Sequence, residues 1–325
     1  MDPLTHVVIG RAVVAAGGDG RRSRAIGAAA ILGALSPDID SVIAFSGWDR
    51  YVRAHQFGTH SILGTMTMAA VTAVVVERSA NALARRPDEP RAKASAERFP
   101  TIFGAALAGA LSHIALDLIS GARIAILWPL LSRRVSLPLV AMADPWLVVI
   151  SILWLLMLWP ARIEVRRASQ VVVSATVIFL CFKAAMLGVA LRHVEVAADG
   201  GRAVEARWGS LTDWFVFERS HDEVRMRSIA SRGPAVFVLA RPLGADTPLV
   251  QASRSLEDVR NFLAVHEFAF PAETKEDDGR VSVMWSDLRY CWSTGCGVWV
   301  GGTFDVTGRA IAQEIRVGSV VQRRP

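Results

Sequence analysis

The chain has 325 residues, 52% of them hydrophobic and 20% charged, with a formal net charge of +6. That is too apolar for an ordinary soluble enzyme and too charged for a chain that lies in a bilayer throughout, so a membrane part joined to a soluble part is expected. The basic excess sits in short loops between apolar runs, which reads as topological anchoring and contact with anionic lipid; without an aromatic-plus-basic stripe, no nucleic-acid partner is expected.

In chain order, apolar runs fall at 7–16, 25–46, 61–77, 101–120, 145–160 and 169–191. Alanine and glycine crowd several of them, favouring close helix–helix contact in a bilayer. The last run is long enough to cross alone, since a span needs about 20 residues. Others are shorter or are interrupted by Pro, Asp or His, and read as spans, broken helices or a partly immersed bundle. Arg21, Arg22, Arg24, Arg78, Arg85, Arg86, Arg91, Lys93, Arg98, Arg162, Arg166 and Arg167 share one set of connections, and Arg50, Arg53, Arg123, Arg133, Arg134 and Arg192 the other. This bias assigns the first set to the cytoplasm. From about 193 the pattern changes to β-type residues with partial alternation: His193-Val-Glu-Val, Val204–Trp208, Trp214–Glu218, Val224–Arg227, Ala235–Leu239, Arg280–Trp285 and Val298–Val300. One amphipathic helix is expected over Leu256–Val265. The fold class expected is an α-helical membrane bundle over 1–192, followed by a mostly antiparallel β (α+β) soluble domain over 193–325. Cys181 reads as packing in an apolar helix, and Cys291 and Cys296 as a disulfide outside the cytosol or free thiols within it.

Four stretches set acids and histidines inside the membrane-like part: Met1-Asp-Pro-Leu-Thr-His6, Ser36-Pro-Asp38-Ile-Asp40, His55-Gln-Phe-Gly-Thr-His60 and His113-Ile-Ala-Leu-Asp117. Ionisable groups beside hydrocarbon are expensive and persist where a metal, a proton path or a partner charge compensates them. His113 and Asp117 stand one helical turn apart on one face, suited to one cation or to a simple helical hydrogen bond. Asp38 and Asp40 repel each other unless a cation neutralises them, although a turn or cap also accounts for the pair. His55 is expected in a loop and His60 near the next helix start, as ligands or as donors to a substrate phosphate. Asp144, before Pro145, reads as a helix cap or a ligand. With His6, all these residues fall at one end of the bundle, away from the first set of basic loops. From Ala25 to Ser36 is a climb of about 18 Å, short of the roughly 30 Å hydrocarbon core, which sets the cluster near headgroup level.

Imidazoles and carboxylates without thiols suit a divalent cation, zinc foremost, with manganese or magnesium open. The metal ligands expected are His6, Asp38, Asp40, His55, His60, His113 and Asp117. The catalytic candidates are Asp40, His60 and Asp144, around a metal-activated water acting on a phosphoester or lipid-type substrate. His193, His221 and His266 read as structural, and no nucleophile elbow or Walker A loop occurs.

The ordered set MDPLTH, SPDID, H-x4-HS, H-x3-D followed by Trp128-Pro129, and Asp144-Pro145 resembles the YdjM-like family of bacterial inner-membrane-associated metal-dependent hydrolases. That family is similar in turn to the zinc-dependent phospholipase C and P1 nuclease group. The resemblance covers about 1–160, with Phe268–Pro271 and Asp278–Tyr290 similar to a C-terminal domain of many members. It implies a helical fold with a His/Asp metal cluster at His6, Asp38, Asp40, His55, His60, His113 and Asp117, in a multi-pass inner-membrane protein. Gln56-Phe57 stands where the family usually has Arg-Gly, which implies an altered affinity, a different substrate, or Arg53 as a replacement for phosphate binding. The charge bias sets the site and the C-terminal domain on the non-cytoplasmic side. Besides the hydrolase, two other functions fit the residues: a membrane scaffold with a structural metal site and a protein partner for the β domain, and a transporter using intramembrane acids, against which the clustering at one end argues.

Overall fold

The computed structural model describes all residues except 18–22, 47–50, 52–53, 85–98, 160–162, 194–200, 245, 293 and 325. The chain divides into two units, one comprising Met1–Val42, Gln56–Met186 and Ala206–Leu211, the other Ile43–His55, Leu187–Glu205 and Thr212–Pro325.

The first unit is helical: α1 (Pro3–Gly17), α2 (Arg24–Leu35), α3 (Ile62–Ala84), α4 (Phe99–Ile119), α5 (Pro145–Leu158) and α6 (Val165–Ala190). Polar residues start these helices by satisfying backbone donors that the first turn leaves open. Asp2 Oδ1 accepts from Thr5 N at the head of α1, and Ser23 Oγ accepts from Ile26 N at the head of α2. Asp144 Oδ1 accepts from Trp146 N ahead of Pro145, whose missing N–H costs nothing in a first turn. The apolar run at 25–46 is not one α-helix. At Ser36-Pro37 it changes to a 3₁₀ segment, Ser36–Ser46, in which Ser36 Oγ donates to Gly33 O. Among the described residues four helical stretches are long and apolar enough to cross a membrane: Arg24–Phe45, Ile62–Leu83, Phe99–Ile119 and Val165–His193.

Small residues set the spacing of α2 and α4. A Cβ added to Gly33 would stand 2.2 Å from Ala106 O, and one added to Gly109 would stand 2.2 Å from Ala30 O. These are backbone atoms, so neither glycine can gain a side chain without moving the helices apart. The tight contact matters because α2 leads into Asp38 and α4 carries His113 and Asp117. Ala29, Ala69, Ala73, Ala105, Ala106 and Ala110 fill much of the rest of the α2–α3–α4 core.

Between Ser120 and Pro138 the chain forms an irregular hairpin, bridged antiparallel at Ser120↔Pro138 and Ile124↔Val135. Its foot packs Ala122 and Ile124 on Ile114 of α4; the Trp128–Pro129 peptide at its tip is cis. The late segment Ala206–Leu211 also belongs to this unit. Trp146 Nε1 donates to Gly209 O (3.1 Å), Trp208 Nε1 to Ala143 O (2.7 Å), and the buried Lys183 of α6 to Ser210 O (2.9 Å).

The second unit holds two main sheets, in the orders β1-β2-β3-β4 and β11-β10-β9-β6-β5. The first comprises Arg202–Ala206, Asp213–Arg219, Glu223–Ala230 and Val236–Pro242. The second runs Val320–Arg324, Ala310–Val317, Val298–Phe304, Val281–Asp287 and Ala269–Lys275. Neighbours pair antiparallel, as in Trp214↔Ile229 and Val283↔Gly302. Two short helices, α7 (Pro248–Ser253) and α8 (Glu257–Leu263), add Val250, Val259 and Phe262 to the core around Trp285 and Phe304. The α+β class expected from the sequence is thus the one observed. The helix expected at Leu256–Val265 is α8, with Leu256 as its N-cap. His193 closes a short 3₁₀ turn, and the rest of the strand expected there lies outside the described residues. Cys291 and Cys296 form a disulfide, across the small β7–β8 pair (Cys291–Trp292 and Gly295–Cys296).

Candidate metal centre

Three elements of the helical unit bring Asp38, His60, His113 and Asp117 together, with one donor atom from each within 4.8 Å of all the others. Asp38 comes from the 3₁₀ segment after α2, His60 from a tight turn ahead of α3, and the other two from α4. His60 Nε2 lies 3.4 Å from Asp38 Oδ1, 3.4 Å from Asp117 Oδ2 and 3.3 Å from His113 Nε2. His113 Nε2 lies 3.5 Å from Asp38 Oδ1 and 3.4 Å from Asp117 Oδ2. Five of the six edges of this quartet are therefore nearly equal. The sixth, from Asp38 to Asp117, is within 4.8 Å; a regular tetrahedron of 3.3–3.5 Å edges would put its centre about 2.0–2.2 Å from each donor, the bond length that imidazole nitrogen and carboxylate oxygen keep to a metal ion. By composition and spacing the quartet could hold a metal ion.

The backbone decides which ring nitrogens face inward. His113 Nδ1 lies 2.7 Å from Ala34 O, an acceptor only, so Nδ1 carries the proton and Nε2 presents its lone pair. Thr59 Oγ1 donates to Asp40 Oδ2 (3.0 Å), so it accepts from His60 Nδ1 (3.1 Å), and His60 Nε2 also turns inward. Partners that fix the tautomer and aim the ring in this way are what ligand histidines usually have. Two inward lone pairs 3.3 Å apart beside two carboxylates repel unless a proton or a cation lies between them. In the metal-free protein a proton on His60 supplies that charge. Burial opposes it, but the bonds to Asp117, Asp38 and Asp40 prevail and raise the imidazole to about 10.

The remaining expected residues surround the quartet or lie apart from it. Asp40 stands behind His60, its Oδ2 accepting from Gln56 N (3.1 Å) and Thr59 Oγ1. His6 is fully buried and stacks on His113 with ring centroids 3.8 Å apart; its Nε2 is 3.3 Å from Asp117 Oδ1. That same oxygen receives the N-terminal ammonium at 2.6 Å, so Asp117 serves the quartet with one oxygen and this neighbouring group with the other. His55 forms a second group of possible ligands with Asp38 and Asp40, one donor atom from each within 4.8 Å of the others; its backbone N–H donates to Tyr51 O (2.7 Å) and its ring stacks on Tyr51. Asp144 caps α5, receiving Trp146 N and Ala141 N, and is not a member of the quartet. Burial pushes its carboxyl up, against those donors and the charge of Lys183. Arg53 lies outside the described residues.

Two contributors were not anticipated from the sequence. Thr59 fixes the His60 tautomer, and only its place beside the histidine signals it. Arg134 comes back over the His60 turn from the 120–138 hairpin, its guanidinium 4.4 Å from the centre of the Phe57 ring. Burial, then the nearby Arg123 charge, lowers its pKa to about 10. Gln56 takes a left-handed backbone (φ 67°), which costs a non-glycine residue about 1–2 kcal/mol. Both of its backbone groups are bound: the N–H to Asp40 and the carbonyl to Ala125 N at 3.1 Å.

A family model described as YdjM inner membrane protein matches residues 1–192, and the chain belongs to that family. No curated protein and no solved structure matches it.

Proposed function

From membership of the YdjM inner membrane protein family, we propose that the protein is a multi-pass membrane hydrolase, metal-dependent, acting on a phosphoester or lipid-type substrate on the non-cytoplasmic side. The observation that carries this is the quartet of Asp38, His60, His113 and Asp117, whose donor atoms all lie within 4.8 Å of one another in a unit of apolar helices. The donor set favours zinc, because two imidazoles with two carboxylates suit it, whereas magnesium and manganese prefer six oxygen-rich positions. A bound divalent cation would polarise a phosphoryl or acyl oxygen and activate water for attack. Of the four side chains only Asp38 is open to solvent, with 32% of its side chain exposed against 2% or less for the others. Substrate therefore reaches the quartet at the Asp38 edge. Asp40 acts as a positioning residue for His60, both directly, its Oδ2 being 3.4 Å from His60 Nδ1, and through Thr59, and Asp144 is assigned to the fold of α5.

The test uses full-length protein in detergent or nanodiscs, with metal content and hydrolysis of phosphodiester and phospholipid substrates measured before and after chelation. Stoichiometric metal, with activity lost on chelation and in His113→Ala, is the expected result. A folded protein that takes up no metal would refute the proposal.

A second reading has an observation of its own: four protein donors already make up the ligand count of a closed structural site. The protein would then be a membrane scaffold whose β domain binds a protein partner. X-ray absorption on the loaded protein separates the two readings. Four protein donors with no exchangeable position and no hydrolysis support the scaffold; a solvent ligand supports the hydrolase.

A further inference from the structure

The hairpin Ser120–Pro138 combines three properties. Its foot is rigid and tied to the His60 turn: Ala125 N donates to Gln56 O (3.1 Å), Ile62 N to Ile126 O (3.0 Å), and Ile124 and Val135 exchange bonds of 3.0 and 2.9 Å. Its tip is apolar and outward: Leu130 is 86% exposed and Leu131 55%, with Leu127 and Trp128 exposed beside them. Its charge is of one sign, since Arg123, Arg133 and Arg134 occur between Asp117 and Asp144 with no acid among the residues between.

Exposed leucines on a helix that crosses a bilayer need no explanation, but on irregular backbone they do. Lipid-facing backbone without regular hydrogen bonding is excluded from the hydrocarbon core. A tip of this kind is stable at headgroup depth, where leucine and tryptophan enter the acyl boundary and arginine stays with the phosphates. Arg134 is drawn back from the tip onto Phe57, three residues before His60, and Arg123 stands near enough to oppose its charge. Two guanidiniums that repel each other beside the turn carrying a quartet histidine are complementary to an anion, and arginine grips phosphate through paired N–H groups.

We propose that the hairpin is a docking element for anionic phospholipid, with Leu130 and Leu131 entering the bilayer surface and Arg134, with Arg123, holding the headgroup phosphate beside the His60 turn. As a statement about binding it stands alone; as a statement about substrate, an anionic lipid phosphoester, it rests on the hydrolase reading above.

The experiment uses the full chain in nanodiscs of phosphatidylcholine with or without phosphatidylglycerol. Cys181 is the free cysteine, so Cys181→Ser with Leu130→Cys gives one site for a fluorescent label. Lipids carrying a shallow nitroxide quencher should quench this label more strongly than the same label at Thr307, on an exposed turn of the β unit. With the nitroxide placed on either lipid at equal mole fraction, the phosphatidylglycerol form should quench about fivefold more effectively, the preference expected from one basic residue near an anionic surface. Arg134→Gln should bring the two forms level, and Arg134→Lys should retain part of the difference. Quenching at Leu130 no greater than at Thr307 overturns the docking. Equal quenching by the two lipids overturns the charge recognition, and an unchanged preference in Arg134→Gln overturns the part of Arg134. Loss of the preference on adding inorganic phosphate reassigns the arginines to a free anion and overturns the lipid. Metal content in the same discs keeps the proposals apart: lost preference with metal retained touches the hairpin alone, and retained preference without metal touches the hydrolase alone.

Discussion

Each unit buries charge, and the two solve the problem in opposite ways. In the β unit, Asp287 is fully buried and every bond it accepts comes from its own chain. Arg289 grips both its oxygens at 2.8 Å, and the N–H groups of Arg289 and Phe268 complete the set. In the helical unit Asp117, His60 and His113 are as deeply buried, yet their inner atoms are acceptors facing acceptors. The first arrangement is complete as folded; the second needs a proton or a metal ion between its acceptors. Buried charge marks a functional site when the donors do not balance the acceptors, and burial alone does not distinguish the two cases.

The largest effect that would sharpen this contrast comes from removing one partner in each place. Asp117→Ala should reduce metal affinity by more than about 100-fold, beyond the usual loss for supporting residues, with the β unit's stability unchanged. Arg289→Ala should do the reverse, destabilising the β unit by about 3–5 kcal/mol because a buried carboxylate is left unpaired, with metal content intact. Thermal unfolding followed beside metal analysis reads both, and an Asp117→Ala protein that keeps its metal would break the comparison. A smaller effect is expected behind the quartet. Asp40→Asn weakens the Thr59 link to His60 and should lower affinity by about 10–100-fold, measured by competition with a chelating dye.

The smallest effects are in pH, and they run in opposite directions. A metal must displace the proton that His60 holds up to about 10, so affinity should climb by up to about tenfold per pH unit from neutrality toward that value. Isothermal titration in buffers of different ionisation heat should register the released proton. Burial acts to raise the Asp287 carboxyl, but Arg289 outweighs it and holds the group below its ordinary value. Its contribution to stability is therefore complete above about pH 4 and is lost as pH falls further, through the folded-state value. Acid unfolding of wild type against Asp287→Asn checks this: the variant's stability should be flatter below pH 4.

Much of this was legible in the residues. The His and Asp spacings, read against alternating basic loops, set eight acids and histidines at one end of the bundle, and of these Asp38, His60, His113 and Asp117 make up the quartet. The acceptors that aim the rings were not legible. Ala34 O is a backbone atom with no sequence signature, and Thr59 resembles any turn residue. The hairpin stayed hidden because Leu127–Leu131 has neither period 2 nor period 3.6. In the β unit Pro271 masked β5, since proline is tolerated in a strand mainly at a sheet edge, and β5 is an edge. The strands at Ala310–Val317 and Val320–Arg324 and the helix at Pro248–Ser253 are too short or too mixed in polarity to announce themselves.

The segment Ala206–Leu211 bears on how this protein can be cut. The family match ends at 192, which invites expression of the leading portion alone. Such a fragment would lack the Ser210 carbonyl that receives Lys183 and the Gly209 carbonyl that receives Trp146. An ammonium sealed inside a greasy helix would be deprived of an acceptor that lies beyond the cut. A shortened gene meant for purification or crystallisation should therefore extend past Leu211, because the modular border drawn by homology is not where the physical dependence stops.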